Sequence, residues 1–486
     1  MRILPAMSES ILPLAAPDDR LALVEPAAGV RVTYGELAAE VERLGRVLVS
    51  RGVVPGDVVA FSMANGPEIV TTFLAVVAAG AAAAPLNPGY TAKEFAFYLD
   101  DLQPRLVIGR GDDAPELPGA VDLADLTGDP GGSLPTPDPD AVALLLHTSG
   151  TTARPKQVPI RQRNLMASAR TVAATYALTA DDTSHCVMPL FHVHGLVAST
   201  LATLVSGGTV LCPRRFSANA FWNDGAEHGA TWYSAVPTIH HILTTREREG
   251  SARPAHALRF ARSCSSALAA PLMAEFEERF QVPLVEAYGM TEAAHQMASN
   301  PLPPAERRPA TVGIATGTQI AILDDDWNAL AVGEIGEVCV RGPGVVDGYR
   351  SNPEANAASF RDGWFRTGDS GSLDADGYVH LAGRIKELIN RGGEKISPHE
   401  VEDALLKHPA VTEAVAFSLP DAKYGETVGA VVVLIGVADE AELQRHAGEL
   451  LSGFKVPTRI VAMEAIPKGP TGKIQRRTMA EQIGSG

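Results

Sequence analysis

One loop organises the rest of the chain: Leu146-His147-Thr148-Ser149-Gly150-Thr151-Thr152-Ala153-Arg154-Pro155-Lys156. It follows the apolar run 141–146, which is typical of a buried β-strand. Glycine lets a backbone approach a ligand closely, and backbone N–H groups and hydroxyls can donate to phosphate oxygens. The positive charge of Lys156 can stabilise a leaving phosphate group. Because the Walker A spacing G-x-x-x-x-G-K-[ST] is absent, the loop predicts a polyphosphate cradle of a different kind.

The composition excludes several classes of protein. The 486 residues carry a formal net charge of −16, which opposes nucleic-acid binding because that needs clustered Lys and Arg. Residues 1–14 lack the apolar run of a secretory signal, and the Ala-rich segment 69–85 indicates a buried helix and turn, not a membrane span. We therefore expect a cytoplasmic protein with no membrane partner. Its four cysteines lack C-x-x-C spacing and are expected to be reduced and buried: Cys186, Cys212, Cys264 and Cys339.

The pattern of apolar residues changes twice along the chain. Short Val/Ile/Leu-rich runs alternate with longer helical segments over residues 34–285, which predicts α/β layers around largely parallel sheet. Residues 311–349 contain strand-like runs between Asp- and Gly-rich turns, which predicts antiparallel strands in a barrel-like element. After Lys386 a compact α+β pattern follows, and its size suits an independent domain. We predict a domain over 1–385 and a second over 386–486.

A second motif is Tyr288-Gly289-Met290-Thr291-Glu292, which follows the strand-like run 282–286. A hydroxyl and a carboxylate just past a strand end can serve a phosphate and a metal ion. The pattern therefore suggests Mg²⁺ bridging phosphate oxygens to Glu292. Taken alone, it is more typical of a helix start at which Glu292 favours the helix dipole.

A third motif is Trp364-Phe365-Arg366-Thr367-Gly368-Asp369, and Gly383-Arg384 follows it. An aspartate in a turn can accept hydrogen bonds from both hydroxyls of a ribose. A nearby arginine can hold the sugar or a phosphate edge. Gly-Asp by itself is most often only a turn, so this motif gains weight from the others.

A fourth motif, Pro470-Thr471-Gly472-Lys473, lies close to the C-terminus. A lysine on a glycine turn can move into a site built by another domain. There it can neutralise charge at a reacting carboxylate and an α-phosphate. The ordinary alternative is an exposed lysine in a polar loop.

The four motifs together, in this order, resemble the adenylate-forming superfamily of acyl-CoA synthetases, adenylation domains and luciferases. The resemblance covers nearly the whole chain. It implies an α/β fold with a large N-terminal domain of two α/β sheets plus a distorted β-barrel, followed by a small mobile α+β C-terminal lid. It also implies nucleotide contacts at Thr148, Ser149, Gly150, Thr151, Thr152, Lys156, Gln157, Tyr288, Gly289, Asp369 and Arg384; catalytic groups at Lys473, Thr291, Glu292 and His192; a metal contact at Glu292; a hinge at Lys386; and a coenzyme A channel at Gly392, Gly393 and Glu394.

The resemblance implies a reaction in two steps, with ATP, Mg²⁺ and coenzyme A as cofactors. A carboxylate oxygen attacks the α-phosphate of ATP, and pyrophosphate leaves. The thiolate of coenzyme A then displaces AMP from the acyl-adenylate. In the family the lid rotates about its hinge between the steps and presents the glycine-rich channel loop.

Within the superfamily, five stretches look closest to oxalyl-CoA synthetases: 188–195, 232–240, 262–265, His295 and 383–398. Three groups near the expected acid pocket could donate to a second carboxylate, namely a histidine of the pair His192 and His194, Ser265 and His295. The predicted substrate is therefore a small dicarboxylate such as oxalate. The histidines could equally gate or pack the pocket, and a larger acid stays open.

Gln157 departs from the family pattern, in which the residue after the Pro-Lys pair is almost always glycine. Its side chain could enter the space of the β- and γ-phosphates, since tight anion cradles rely on having none there. The protein could then perform only thioester formation, on an acyl-adenylate supplied by a partner enzyme. In that case Gln157→Gly would raise pyrophosphate release. The ordinary alternative is that Gln157 points to solvent.

Three other classes of protein compete with an acyl-CoA synthetase. A carrier-protein loading enzyme would transfer the acyl group to a phosphopantetheine arm, but no carrier domain follows Lys473. A silent binding protein would need none of the charged motif residues. No feature of the sequence favours a luciferase-like oxygenase. The oligomeric state is left open by the sequence.

Overall fold

The computed structural model describes residues 10–12, 16–148, 155–247, 255–392, 394–421 and 423–467, together with Arg476, Met479, Ala480 and Ile483. Three parts of the predicted site lie outside the described residues: the loop positions 149–152, Gly393 and Lys473. The predictions for them stay predictions.

The described chain alternates strands and helices up to about residue 290 and becomes richer in strands after it. The strands are β1 Leu21–Glu25, β2 Val30–Thr33, β3 Val58–Phe61, β4 Ala82–Pro85, β5 Leu106–Gly109, β6 Val121–Asp122, β7 Val142–Thr148, β8 Lys156–Arg161, β9 Thr183–His185, β10 Thr209–Leu211, β11 Trp232–Ala235, β12 Phe260–Ser263, β13 Leu284–Met290, β14 His295–Ser299, β15 Ile314–Ala315, β16 Gln319–Leu323, β17 Gly336–Arg341, β18 Phe360–Arg361, β19 Trp364–Leu373, β20 Val379–Arg384, β21 Ile389–Arg391, β22 Glu394–Ile396, β23 Val411–Asp421, β24 Gly425–Leu434 and β25 Arg459–Ala462. The α-helices are α1 Tyr34–Ser50, α2 Pro67–Ala78, α3 Ala92–Leu102, α4 Gln162–Thr175, α5 Ala202–Val205, α6 Phe221–Glu227, α7 Pro237–Glu247, α8 Ala270–Phe280, α9 Pro353–Ser359, α10 Pro398–Leu406 and α11 Glu440–Leu450.

Two large sheets form the first part of the molecule. One has the order β6-β5-β3-β4-β7-β8 and is parallel except for the β7–β8 hairpin. The other has the order β15-β14-β13-β12-β11-β9-β10-β1-β2, with a parallel centre. The largest core cluster joins the two, and it includes Leu23 of β1, Phe73 of α2 and Leu144 of β7. The α/β prediction for residues 34–285 is confirmed.

The Ala-rich segment 69–85 shows how burial shapes this core. Residues 67–77 of α2 are buried except Glu68, because the helix is apolar on every side. The predicted turn after it is partly wrong, since Ala82–Pro85 is a strand that pairs in parallel with Val58–Phe61. Among the described residues, every helix is too short or too polar to span a bilayer. All four cysteines are buried and free, as expected.

Two smaller sheets follow. The antiparallel sheet β16-β17-β19-β18, with β20 on β19, contains two of the strands predicted for the barrel-like element, β16 and β17, and extends it to residue 384, whereas β15 joins the large sheet. The last sheet, β22-β21-β24-β23 with β25 on β24, packs its own core around Val401, Ala430 and Leu443. Lys386 lies in the short 3₁₀ turn Ile385–Glu387 between these two sheets. The division of the chain at Lys386 stays a prediction.

Candidate functional site

The hairpin β7–β8 holds the two described ends of the phosphate loop. Thr148 and Lys156 are opposite each other in its register. The ammonium of Lys156 lies 4.4 Å from the centre of the Tyr349 ring. Burial lowers the pKa of Lys156, while the nearby Glu292 carboxylate raises it and Lys386 lowers it further. The structure thus brings the loop lysine and the predicted metal contact into one electrostatic neighbourhood.

Glu292 is held by a 3₁₀ turn, Thr291–Ala293, directly after β13. Its carboxylate is buried and accepts a 3.0 Å hydrogen bond from the hydroxyl of Tyr349. Burial raises the pKa of Glu292, against the opposing effects of the Tyr349 hydroxyl and the positive charges of Arg384 and Lys156. A buried carboxylate with one hydroxyl donor retains oxygen lone pairs for a hard cation.

No three His, Cys, Asp or Glu side chains form a cluster that could hold a metal ion by themselves, within the part of the chain that the structure describes. A cation at Glu292 would therefore take most of its ligands from phosphate oxygens and water. That is the usual way in which Mg²⁺ is bound at nucleotide sites. The residues present fit a Mg²⁺ ion that arrives with a nucleotide.

The third motif forms a charge pair across two adjacent strands. Asp369 of β19 and Arg384 of β20 are partners in the register, and Nε of Arg384 lies 2.9 Å from Oδ1 of Asp369. Arg384 also donates to the carbonyl of Thr367 at 2.9 Å. The hydroxyl of Tyr288 donates to Oδ2 of Asp369. The second and third motifs therefore meet at this carboxylate, a link that neither motif reveals alone.

The predicted acid pocket comes together around His194. Its Nδ1 lies 3.0 Å from Oγ of Ser265, and its Nε2 lies 2.7 Å from Oγ of Ser234. The rings of His194 and His295 have their centres 5.1 Å apart. His192, the other member of the predicted pair, contacts the ring of Phe191 and lines a small cavity with Tyr98 and His147. The structure brings the other three predicted pocket residues together around His194.

Backbone conformation marks the same pocket. Ser265 has a φ of 74° and His295 a φ of 121°, in a region that residues other than glycine rarely adopt. Such strain persists only where the surrounding structure imposes it, and it concentrates at binding sites. Gly289 makes room for His295, because a Cβ there would lie 2.1 Å from the carbonyl oxygen of that histidine. Gly289, predicted as a nucleotide contact, thus also fixes a pocket wall.

Sequence reasoning gave Arg262 no role, yet this residue lies directly behind the pocket. It is the register partner of Ser234 on the neighbouring strand and is fully buried. A charged residue inside a buried strand, Phe260–Ser263, is the signal that could have found it. Its guanidinium donates to four side chains: Tyr176 at 2.9 Å, Ser234 at 2.9 Å, Gln296 at 3.1 Å and His295 at 3.4 Å.

Gln157 lies in neither of its two expected positions. Its amide donates to the carbonyl of Asp101 at 2.7 Å and to Oδ2 of the same residue at 2.6 Å. His147 contacts that carboxylate as well, at 2.9 Å. Neighbouring residues of a strand point to opposite faces, so Gln157 faces α3 while Lys156 faces Tyr349. The side chain is half-buried against Asp101 and does not point to solvent.

The remaining predicted residues lie beyond β20. Lys386 is exposed, and Glu394 is exposed at the start of β22. Gly392 has a φ of 63° and donates from its N–H to the carbonyl of Tyr424 at 2.9 Å. Arg476 contacts the turn that contains Lys386, since its Nε lies 3.0 Å from Oε2 of Glu387. The hinge and channel roles stay predictions.

Two family models match the sequence: the AMP-binding enzyme model covers residues 14–350, and the AMP-binding enzyme C-terminal domain model covers residues 400–473. The chain belongs to the AMP-binding enzyme family. An oxalate–CoA ligase of Arabidopsis thaliana is 46% identical over 480 residues, which cover 93% of each chain. A sulfoacetate–CoA ligase of Cupriavidus necator is 39% identical, with 94% of each chain covered. The structure of ATP-bound MatB from Rhodopseudomonas palustris matches with a TM-score of 0.89 and 30% identity, over 98% of each chain.

These likenesses confirm the adenylate-forming family and the predicted fold class. The aligned region covers more than nine-tenths of each relative, so the likeness extends over the whole enzyme and is not confined to one module. The part played by each site residue stays a prediction.

Proposed function

We propose that the protein is an AMP-forming acid–thiol ligase that converts a small acid with a second anionic group, oxalate foremost, into its coenzyme A thioester. The observation that carries this proposal is the pairing of two sites. A nucleotide site around Glu292 and Asp369 is joined by β13 and its turn to a small polar pocket around His194 and His295. The relatives named for oxalate and sulfoacetate support the same class of acid.

In the first half-reaction, a carboxylate oxygen forms a bond to the α-phosphorus of ATP while the bond to pyrophosphate breaks. Asp369 would accept hydrogen bonds from the ribose hydroxyls, and the ion pair with Arg384 holds that carboxylate in place. Lys156 would offset negative charge on the departing phosphates. Magnesium held by Glu292 and phosphate oxygens would supply further positive charge as pyrophosphate leaves.

In the second half-reaction, the coenzyme A thiolate forms a bond to the acyl carbon, and AMP leaves with the electron pair of the broken carbon–oxygen bond. The thiol proton is released to solvent. We place the pantetheine arm beside the loop of Gly392, Gly393 and Glu394. A glycine at position 392 is required there because the left-handed conformation of that turn disfavours other residues. The lysine of the fourth motif, Lys473, serves the first half-reaction only.

A ligase that performs only thioester formation is not favoured. That alternative depends on Gln157 entering the phosphate space, whereas its amide is held by two hydrogen bonds to Asp101. Loading of a carrier protein is not favoured either, since the relatives that match along nearly their full length are named CoA ligases. A partner enzyme that supplies acyl-adenylate is then not needed.

Mass spectrometry of the thioester product tests the proposal. The purified protein is incubated with Mg-ATP, coenzyme A and one acid at a time, taken from oxalate, sulfoacetate, malonate, acetate and ferulate. We expect thioester from the small dianionic acids, with AMP and pyrophosphate formed in equal amounts. Thioester formed only from synthetic acyl-adenylates would refute the proposal in favour of the half-reaction enzyme. Thioester formed best from ferulate would refute the substrate class.

A further inference from the structure

Arg262 is a buried cation whose hydrogen-bonding partners are all neutral. Its side chain is fully buried, and no carboxylate of the described residues forms an ion pair with it. One partner, Tyr176, stays neutral because burial raises the pKa of its phenol. Burying a charge without a counter-charge is costly unless the site is completed by one. An anionic ligand that binds in the pocket would supply the missing counter-charge and offset this cost.

The hydrogen-bond partners in the pocket indicate which of its groups remain donors. Arg262 can only donate, so Ser234 accepts from it, and Nε2 of His194 is the acceptor that the described residues offer to the hydroxyl proton of Ser234. The proton of His194 then sits on Nδ1 and is donated to Ser265. The hydroxyl proton of Ser265 is left over for a ligand. This first relay therefore ends in a donor.

A second relay runs through His295. Arg262 donates to its Nδ1 at 3.4 Å, which assigns the ring proton to Nε2. Burial, together with the positive charge of Arg262 and the neighbouring His194, lowers the pKa of His295 well below its usual value, so the ring stays neutral. Its Nε2–H has no acceptor among the residues that the structure describes. Both relays thus end in donors near one cation, which matches a group that only accepts.

We propose that Arg262 makes this pocket selective for acids with a second anionic group, as counter-charge to that group and as the positioning residue that fixes Ser265 and His295 as donors. The inference deepens the proposed function and rests on it for the reaction, but it concerns binding at this pocket. A carboxylate or a sulfonate satisfies it, because each offers only acceptor oxygens. An amide of the same size does not, because its NH₂ would face two donors.

Binding of oxalate and of oxamate, its isostere in which one of the two carboxylates is a neutral amide, tests the proposal. Dissociation constants are measured by calorimetry with a non-hydrolysable ATP analogue present, in the wild type and in Arg262→Met. We expect the wild type to prefer oxalate by about 30-fold or more, and Arg262→Met to bind the two acids within about threefold of each other. Ser234→Ala keeps the cation but cuts the first relay, so its preference should be intermediate. Arg259→Met removes a half-exposed arginine paired with Asp182 and serves as the matched control with unchanged preference.

Affinity for the ATP analogue reports whether each variant is folded, since Arg262 does not contact the nucleotide residues described above. If Arg262→Met loses this affinity too, Ser234→Ala decides the outcome. A preference for oxalate as large as that of the wild type, in Arg262→Met or in Ser234→Ala, would overturn the inference, as would a wild type that prefers oxamate. The proposed function can fail separately. If Arg262→Met loses the oxalate preference but the wild type forms no thioester, the inference is retained and the ligase function is refuted.

Discussion

The nucleotide site and the acid pocket handle charge in opposite ways. At the nucleotide site the protein supplies both signs: Arg384 is paired with Asp369, and Lys156 lies near Glu292. In the acid pocket, Arg262 meets only neutral side chains. A charge-balanced site can serve the same nucleotide in every member of a family. A pocket with one unbalanced cation selects substrates that carry the compensating negative charge.

The largest effect is expected at Lys473, which would act on the nucleotide half only. Lys473→Ala should lower acyl-adenylate formation from ATP by about 10³-fold, because it removes the cation at the reacting carboxylate and α-phosphate. Thioester formation from synthetic acyl-adenylate should be spared, with Lys468→Ala as the control. Pyrophosphate release and thioester yield measure the two halves separately. Equal loss of both would show that the lysine has no role confined to the first step.

A smaller effect is expected at the ribose carboxylate. Asp369→Asn removes the negative charge opposite Arg384 and weakens the acceptor for the ribose hydroxyls, so KM for ATP should rise by about 10- to 100-fold. The oxalate-to-oxamate preference should not change, since this residue belongs to the balanced site. Asp362→Asn, at an exposed turn, is the control. A changed acid preference would break the separation between the two sites.

The nucleotide site and the acid pocket should also differ in their pH dependence. Burial raises the pKa of Glu292, so this carboxylate becomes protonated as the pH falls toward that raised value and loses its charge for magnesium. We expect kcat/KM for Mg-ATP to fall on acidification, at a higher pH than an ordinary glutamate would cause, with a limiting slope of about tenfold per pH unit. The pKa of His295 is lowered, so its ring stays neutral over the same range. The oxalate-to-oxamate binding ratio should therefore stay constant, and a ratio that rises on acidification would contradict this assignment.

The smallest effect on activity is expected at Gln157. Loop composition alone predicts that Gln157→Gly raises pyrophosphate release, but the contact with Asp101 revises that expectation. Release should change by less than about twofold, while the free energy of unfolding falls by about 1–2 kcal/mol for the lost hydrogen bonds. Steady-state kinetics and urea denaturation measure the two effects. A severalfold gain in release would show that the glutamine does reach the phosphates.

The two sites also differ in how far the sequence predicts them. Local motifs predicted the nucleotide residues, because each motif sits in one turn or hairpin whose residue types suit the ligand. The link between Tyr288 and Asp369 and the contact of Tyr349 with Glu292 needed the structure, since they join residues 57 to 81 positions apart. The order of the strands in the sheets brings such residues together, and local sequence patterns do not predict that order.

The acid pocket was only partly predictable. A resemblance indicated His194, Ser265 and His295, but could not choose between His192 and His194, because a two-residue offset is decided by the π-helical segment that starts at His194. The role of Arg262 was missed. Its role depends on the register that sets it beside Ser234 and on four partners from three separate parts of the chain.

Transfer of an oxygen label tests the central claim of an AMP-forming ligase most directly. The preferred acid, labelled with ¹⁸O in its carboxylates, is converted with Mg-ATP and coenzyme A, and the AMP is analysed by mass spectrometry. Attack of the acid on the α-phosphate predicts one ¹⁸O atom in each AMP. Unlabelled AMP, or label recovered in inorganic phosphate instead, would contradict the acyl-adenylate and the account built on it.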